Sequence, residues 1–239
     1  MKTVLLTTAA ALALCVAGAA QAAPGMHAAG ARGTTHPVVH HAPPKGAKTL
    51  YDQNSSDGTY GFFSQTLSSY PQYDEYLADD FTVPKGHSWT VSEVDTTGFY
   101  YNGPGPATSV NVLFWNNKKG LPNGKKPAVE CDNLTPTGGL DTGAYEITLP
   151  KTCKAQFKGG KKGTTYWVTV QANLQGFNTS GYWAWGTDPT VHGNQASGYW
   201  YGGSVETDNP TCNTSFQTID FCFGSTVDLS FALLGKDKG

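Results

Sequence analysis

The sequence lacks the patterns typical of helical proteins and of several enzyme classes. No stretch has a convincing helical period. Neither a G-x-S-x-G nor an H-E-x-x-H motif is present, so the common serine-hydrolase and zinc-protease signatures are missing. No arginine follows Arg32, and the 239 residues carry a formal net charge of −2. This charge balance argues against nucleic acid as a partner.

Period-two alternation of apolar and polar residues is present in five stretches, beginning near residues 89, 110, 145, 166 and 227. Successive side chains of a strand leave opposite faces, so each stretch predicts a strand with one buried and one wet face. In the longest stretch the polar-side residues are Trp167, Thr169, Gln171 and Asn173. Glycine- and proline-rich turn signals separate the strands. This pattern predicts an all-β fold, an antiparallel β-sandwich.

The alternation slips once, near Ser92 and Glu93. Trp89 and Val91 are at odd positions, whereas the next apolar residue, Val94, is at an even one. An extra residue in the strand would restore the register. The sequence therefore predicts a β-bulge at this point.

Residues 1–22 have the features of a secretory signal peptide. Lys2 gives a positive start, residues 4–17 are apolar, and residues 20–22 fit the small-x-small cleavage rule. The apolar run is too short to span a bilayer, and no later stretch is apolar enough. We therefore expect a secreted protein, extracellular or periplasmic, with no membrane span.

Residues 23–48 differ in composition from the rest of the chain. They are rich in Ala, Pro, Gly and His and contain no aromatic residue. Such a segment cannot bury enough apolar surface to offset the entropy of ordering it. We expect a disordered leader here, a single β-sandwich domain over residues 49–235 and a short tail over residues 236–239.

Four cysteines follow residue 22, and an even number in an exported chain favours disulfides. We favour the pairs Cys131–Cys153 and Cys212–Cys222, because partners close in sequence need the least rearrangement. The two other pairings stay open at this point. A zinc site is the alternative, but no C-x-x-C pair is present.

One segment has oxygen-bearing side chains at the spacing of a calcium loop: Asp52, Asn54 and Asp57. No glutamate follows at the bidentate position that such loops use. A turn held by hydrogen bonds from side chains to the backbone is the alternative. Calcium is therefore the candidate cofactor, and these three residues are the candidate ligands.

Asp79 and Asp80 are adjacent carboxylates. Glycoside hydrolysis requires a pair of carboxyl groups, so these two residues are candidates for that chemistry. Adjacent residues of a strand face opposite ways, so these two cannot share a site in an unbroken strand. We assign no catalytic residue. A carbohydrate-active enzyme that uses Asp79, Asp80 or Glu93 is kept as an alternative.

Three tryptophans are candidate ligand-binding residues. Trp183 and Trp185 share one face of a predicted strand, and Trp200 lies in a second glycine-flanked segment. Rings exposed on a β-sandwich can stack on sugars, whereas buried rings fill the core. A glycan-binding platform and core packing are the two interpretations of these rings.

Lysines are concentrated between residues 118 and 162, a segment that contains nine lysines and only four acidic residues. An excess of this kind suits an anionic cell-surface polymer as a partner. Solvation of loops is the simpler interpretation of the same residues.

Several segments resemble a domain that recurs in secreted bacterial proteins. These are YLADDFTVP at residues 76–84, GPGPATSVNV at 103–112, YWVTVQAN at 166–173 and WAW at 183–185. The resemblance covers residues 49–235 and implies a jelly-roll-like β-sandwich. It implies no activity, substrate or site residue.

These observations together predict a secreted, non-catalytic β-sandwich module for binding or surface interaction. The expected partner is a glycan or an anionic cell-surface polymer. The alternatives are the carbohydrate-active enzyme and a structural component of an extracellular matrix or envelope. An enzyme would show two convergent carboxylates, whereas a lectin-like module would show a solvent-facing binding surface.

Overall fold

The structure is a computed structural model that describes residues 31–32, 43–55, 59–124, 126–200 and 210–239. The expected signal peptide and most of the expected leader lie outside the described residues. Within the described part, no helix has the length and apolar character needed to cross a membrane.

Short antiparallel strands dominate the fold, and only single helical turns interrupt them. The strands are β1 (Ala31–Arg32), β2 (Lys48–Asp52), β3 (Tyr60–Phe63), β4 (Gln65–Leu67), β5 (Glu75–Val83), β6 (Ser88–Thr96), β7 (Gly98–Tyr101), β8 (Ser109–Lys118), β9 (Leu121–Pro122), β10 (Val129–Leu134), β11 (Glu146–Thr148), β12 (Gln156–Lys158), β13 (Thr164–Leu174), β14 (Tyr182–Asp188), β15 (Ser197–Trp200), β16 (Gln217–Thr218), β17 (Asp228–Leu229) and β18 (Phe231–Lys238). The helical elements are 3-10 turns at Pro71–Tyr73 and Lys151–Cys153 and helix α1 (Ile219–Phe223).

The strands form three hydrogen-bonded sheets. The large sheet runs β10–β8–β13–β4–β5–β15–β16, with β9 on β8 and a direct pairing of β13 with β5. A second sheet runs β11–β6–β18–β2 with β12 on β6, and a third runs β1–β3–β14–β17 with β7 on β14. Among these strands only β13 and β4 pair in parallel. The antiparallel all-β prediction is confirmed, with one sheet nearly closed into a barrel.

Alternation along the large sheet decides which side chains face the core. Val168 and Val170 on β13 are fully buried in the main apolar cluster, as are Val110 and Val112 on β8. We call this side the inner face. The residues between them point to the opposite side, the outer face of the large sheet. Part of that outer face is covered by the segment 210–217, whose Phe216 packs on the sheet.

Both disulfides expected from the sequence are present. Cys131 on β10 is bonded to Cys153 in the second 3-10 turn, and Cys212 is bonded to Cys222 in α1. The second bond closes a loop of sequence separation 10 and ties the beginning of the segment 210–217 to α1. The favoured pairing is therefore confirmed.

The predicted bulge in β6 is also present. Glu93 lies opposite Leu234 of β18, but Val91 lies opposite Gly235, so Ser92 is the extra residue of the ladder. The bulge moves Trp89 and Val91 onto the buried side together with Val94. Local alternation in the sequence therefore located a real break in register.

Pairing continues beyond the domain boundaries expected from the sequence. Residues 31–32 pair with β3, and Lys48 opens β2. At the other end the ladder between β18 and β6 extends to Lys238. There Asp237 accepts hydrogen bonds from His87 Nδ1 at 2.8 Å and Lys48 Nζ at 3.0 Å.

Candidate functional site

The three candidate tryptophans lie in the core. Trp183, Trp185 and Trp200 are each 0% exposed. The indole nitrogens of Trp183 and Trp185 donate to the carbonyl oxygens of Gly143 and Ser230, both at 2.8 Å. Strand β14 is buried along its whole length, so its aromatic side has no access to solvent. The expected glycan platform is therefore not formed by these rings, and core packing is their role.

Two of the three candidate calcium residues, Asp52 and Asn54, accept hydrogen bonds from within the protein. Asp52 Oδ1 accepts the backbone N–H of Asn54 at 2.9 Å. The Asn54 side-chain oxygen accepts the hydroxyls of Thr97 and Ser230 at 2.7 and 2.8 Å and is buried. Asp57 lies outside the described residues. Over the described ranges, no group of three His, Cys, Asp or Glu side chains could hold a metal ion.

Asp79 and Asp80 leave opposite faces of β5, as strand geometry requires. Asp79 is fully buried on the inner side, where it accepts from Gln53 Nε2 at 2.8 Å and from the backbone N–H of Leu229. Asp80 accepts from the backbone and side-chain nitrogens of Asn194, both at 3.0 Å. The two carboxylates therefore bind different segments of the chain, and they do not face one another as the two acids of a glycoside hydrolase do.

Buried aspartates also surround the loop that follows β14. Burial raises the pKa of Asp228 to about 6, and burial raises that of Asp79 well above its usual range, with a further rise from the Asp228 charge. Nδ1 of His192 lies 3.8 Å from Asp228 Oδ2 and 3.9 Å from Asp188 Oδ2. Asp228 also accepts the backbone N–H of His192. These contacts tie the loop to β14 and β17, which is a structural task.

An open groove of about 560 Å³ lies on the uncovered part of the outer face. Five amide side chains line it: Asn111, Asn133, Gln171, Asn173 and Gln175. The antiparallel register brings them together, because Asn111 lies opposite Gln171 across β8 and β13. We call this site the amide groove.

Asn173 holds the centre of the amide groove. Its Nδ2 donates to Ser109 Oγ and to Asn111 Oδ1, both at 2.8 Å. Its Oδ1 accepts from Thr66 Oγ1 at 2.7 Å and from Asn111 Nδ2 at 2.9 Å. The backbone N–H of Asn133 donates to Asn111 Oδ1 at 3.0 Å. The amides are therefore held in one orientation by bonds that span four strands.

The two sides of the amide groove differ in chemistry. Exposed carboxylates of Glu130 and Asp132 stand on the β10 side, and the half-buried ring of Tyr76 stands on the β5 side. Burial, with a smaller effect of the Asp74 charge, raises the pKa of the Tyr76 phenol, so its hydroxyl is protonated at neutral pH. The Tyr76 ring stacks on Tyr199, with centroids 5.9 Å apart. The groove thus offers acceptors, donors and an aromatic edge.

A second groove of about 490 Å³ lies beside Tyr199. Its polar end carries Lys118 and Lys119, and its apolar floor includes Phe216. We call it the lysine groove. Phe216 is fixed by ring contacts with Trp115 at 5.3 Å and Tyr199 at 5.9 Å.

The sequence alone predicts no site at the amide groove. Alternation places Gln171 and Asn173 on the polar side of their strand, and their succession on one face is the available signal. Asn111 lies 62 residues from its partner Asn173, so their contact depends on strand register. Asn133 adopts a left-handed backbone with φ 55°, beside a register shift in β10. Neither feature can be identified from residue type alone.

Comparisons with known proteins give only weak structural likeness. No protein-family model matches the chain, and no curated protein matches it. The chain is similar to a crystal structure of the cysteine protease and lectin-like domains of Cwp84, a surface layer associated protein of Clostridium difficile, with 12% identity and a TM-score of 0.48. The match covers 82% of this chain and 37% of that one. A likeness of this strength assigns no function to the chain.

Proposed function

We propose that this protein is a non-catalytic glycan-binding module and that the sugar binds in the amide groove. The observation that carries the proposal is the hydrogen-bonded array around Asn173 on an open sheet face. Sugar hydroxyls both donate and accept hydrogen bonds. The internal bonds occupy both hydrogens of Asn173 Nδ2, and they leave one Nδ2 hydrogen of Asn111 and the exposed side chain of Asn133 for a ligand. Because the array is already ordered, binding costs little side-chain entropy.

The aromatic and acidic rims support the same function. The ring of Tyr76 offers an apolar surface against which the C–H face of a sugar can pack. Glu130 and Asp132 are exposed acceptors for further hydroxyls. Charge-assisted hydrogen bonds to such carboxylates are stronger than neutral ones. The groove thereby combines directional polar contacts with one stacking surface, as ligand sites commonly do.

The positions of the other acids favour binding over hydrolysis. Glycoside hydrolysis needs two carboxyl groups that face each other across one substrate. Asp79 and Asp80 lie on opposite faces of β5, and Glu93 is buried in β6 of the second sheet. These three candidate acids of the enzyme alternative therefore do not converge on a cleft.

The surface gives less support to an assembling matrix component. Among the described residues, the exposed large apolar side chains are Val191 and Phe221, at 37% and 53% exposure. Two separated residues do not form the extended apolar patch of an assembly interface. The two disulfides favour an oxidising compartment, so we place the module outside the cytoplasm, either extracellular or periplasmic.

A glycan array followed by calorimetry tests the proposal. The purified protein should bind a defined class of oligosaccharide, and Asn133→Gly or Asp132→Ala should weaken the strongest hit about tenfold. Glycine accepts the positive φ of Asn133, so this variant removes the amide without backbone strain. Both residues are exposed, so folding should be unchanged.

Asn116→Ala is the matched control, since Asn116 is an exposed asparagine of β8 that does not line the groove. It should bind like the parent. Absence of binding across the array would refute the proposal. Hits that survive both groove variants would place the sugar elsewhere on the molecule.

A further inference from the structure

We propose that the amide groove and the lysine groove form one continuous site for an unbranched acidic oligosaccharide. This inference rests on the proposed glycan-binding function and names the class of glycan. Neutral sugar rings lie in the amide groove, and an anionic substituent further along the chain contacts Lys118 and Lys119. Three properties support this assignment: the continuity of the two grooves, their rigidity and their charge.

The two grooves meet at a pair of tyrosines. Tyr76 lines the amide groove, and Tyr199 lines the lysine groove. They are direct cross-strand partners on β5 and β15, and their rings stack with an interplanar angle of 25°. A ligand that reaches the Tyr76 end of the amide groove therefore meets the Tyr199 side of the lysine groove. Each groove alone has the volume of a small-molecule site, so the pair suits a longer chain.

The lysines are positioned by a tight hairpin. Lys118 pairs with Leu121, which leaves Lys119 and Gly120 as a two-residue turn with φ values of 58° and 79°. Positive φ at both central residues is the signature of the rigid type I′ hairpin. Beyond the hairpin, a Cβ at Gly124 would lie 2.9 Å from the Phe216 ring, so the chain packs closely on the disulfide-linked segment 210–217. The backbone that carries both charges is therefore fixed.

The positive charge of the lysine groove comes from Lys118 and Lys119. Within the described part of the chain, Lys118 and Lys119 form no ion pair, and both are exposed. Among the described residues, no acidic side chain lines the lysine groove, whereas Glu130 and Asp132 line the amide groove. An anionic group would be attracted to the lysine end and repelled from the amide end. The charges thus predict the direction of the bound chain as well as its acidic character.

The closing experiment compares acidic oligosaccharides with their neutral forms. Acidic hits of the glycan array, carrying either uronic acids or sulfates, are titrated beside their carboxyl-reduced or desulfated counterparts, from disaccharide to hexasaccharide. We expect the longer acidic chains to bind about tenfold more tightly than the neutral ones. This preference should fall as the salt concentration rises. Comparing uronic acids with sulfates identifies the source of the charge.

Two matched double variants assign the effect to the lysine groove. Lys118→Gln/Lys119→Asn removes both charges and keeps a residue that tolerates positive φ at position 119. It should abolish the acidic preference while leaving neutral binding intact. Lys236→Gln/Lys238→Gln removes two exposed charges from β18 in the second sheet. This control should change neither the preference for acidic oligosaccharides nor the affinity for neutral ones.

The outcomes separate this inference from the proposed function. If acidic and neutral chains bind equally and Asn133→Gly still weakens both, the module binds glycans but the acidic assignment is wrong. If both lysine variants reduce acidic binding equally, the effect is general charge attraction and the inference also fails. If no glycan of either kind binds, the proposed function itself fails.

Discussion

The inner and outer faces of the large sheet are built from the same strands but have opposite chemistry. On β13 the inner face carries fully buried Val168 and Val170, whereas the outer face carries Gln171 and Asn173. Burying a large apolar side chain stabilises a fold by about 1.5–3 kcal/mol, and a hydrogen bond adds a net of only about 1 kcal/mol. The inner face therefore supplies stability. Only the open part of the outer face, which carries half-buried Asn173 and exposed Asn133, can vary in chemistry at small cost, and recognition can develop there.

A second contrast exists within the outer face. One half is covered by the segment 210–217, where Trp115 and Trp167 are buried beneath Phe216. The other half is open and carries the amide groove. The Cys212–Cys222 disulfide ties the beginning of this cover to α1. The cover thus removes apolar surface from water and leaves the polar half accessible.

The contrast between faces is sharpest at Trp185. Trp185→Ala should lower the free energy of unfolding by about 3–5 kcal/mol, because it leaves a large cavity and removes a buried hydrogen bond to the Ser230 carbonyl. Denaturant unfolding measures this value, and Trp185→Phe, which keeps most of the ring volume, should lose less. A loss under about 1 kcal/mol would contradict the burial of this ring.

The cover over the apolar half depends on its disulfide. Replacing Cys212 and Cys222 together with serine should lower the free energy of unfolding by about 3 kcal/mol on the loop-entropy model. It should also open the segment 210–217 to limited proteolysis. The matched Cys131→Ser/Cys153→Ser variant should also be less stable, but without selective cleavage there. Equal cleavage in both variants would show that the disulfide does not hold the cover.

Buried carboxyl groups make stability depend on pH. Burial raises the pKa of Asp228 from 3.8 to about 6, so the folded state binds this proton more tightly than the unfolded chain does. The stabilisation of the folded state by this tighter proton binding is fully present below pH 3.8 and is lost as the pH rises through about 6. Asp228→Asn keeps an acceptor for the His192 N–H and removes the charge. As the pH rises from 3.8 to about 6, the variant should gain stability relative to the parent, and unfolding at several pH values measures this. If the difference in free energy of unfolding between variant and parent did not change with pH, the raised pKa of Asp228 would be contradicted.

The smallest expected effect is that of one hydroxyl on the outer face. Tyr76→Phe should leave the free energy of unfolding within about 0.5 kcal/mol of the parent. It should weaken glycan binding by about 1 kcal/mol if the phenol contacts the sugar. Tyr76→Ala should weaken binding more, because the stacking surface is lost as well. Calorimetry measures both, and equal losses in the two variants would show that the ring contributes nothing.

Local sequence pattern was sufficient for the fold and the covalent links. Period-two alternation predicted which side chains of β13 point to each face, but the expected wet face is wrong over most of its length, because Trp167, Thr169 and Gln171 are buried there. The slip at Ser92 predicted the bulge beside the pair of Val91 and Gly235. Sequence proximity predicted both disulfides. Each of these features depends on residues that are near in the chain, and short-range geometry therefore fixes them.

The candidate site could not be predicted in the same way. Alternation identifies the two faces of a strand, but it cannot show that both faces of β14 are covered. A glycan-binding role for Trp183 and Trp185 therefore remained possible from the sequence. The contact between Asn111 and Asn173 requires the register of two strands that are far apart in sequence. The amide groove therefore depends on strand pairing between residues that are far apart in the sequence, and none of these residues alone indicates a binding site.

The most direct test of the central claim is nuclear magnetic resonance of the side-chain amides during a titration with the strongest oligosaccharide hit. The account predicts that the resonances of Asn111, Asn133, Gln171 and Asn173 shift together, with the midpoint given by calorimetry. The backbone signals of β14 on the buried side should stay in place. Saturable shifts confined to other surfaces, with these four amides unchanged, would contradict glycan binding in the amide groove.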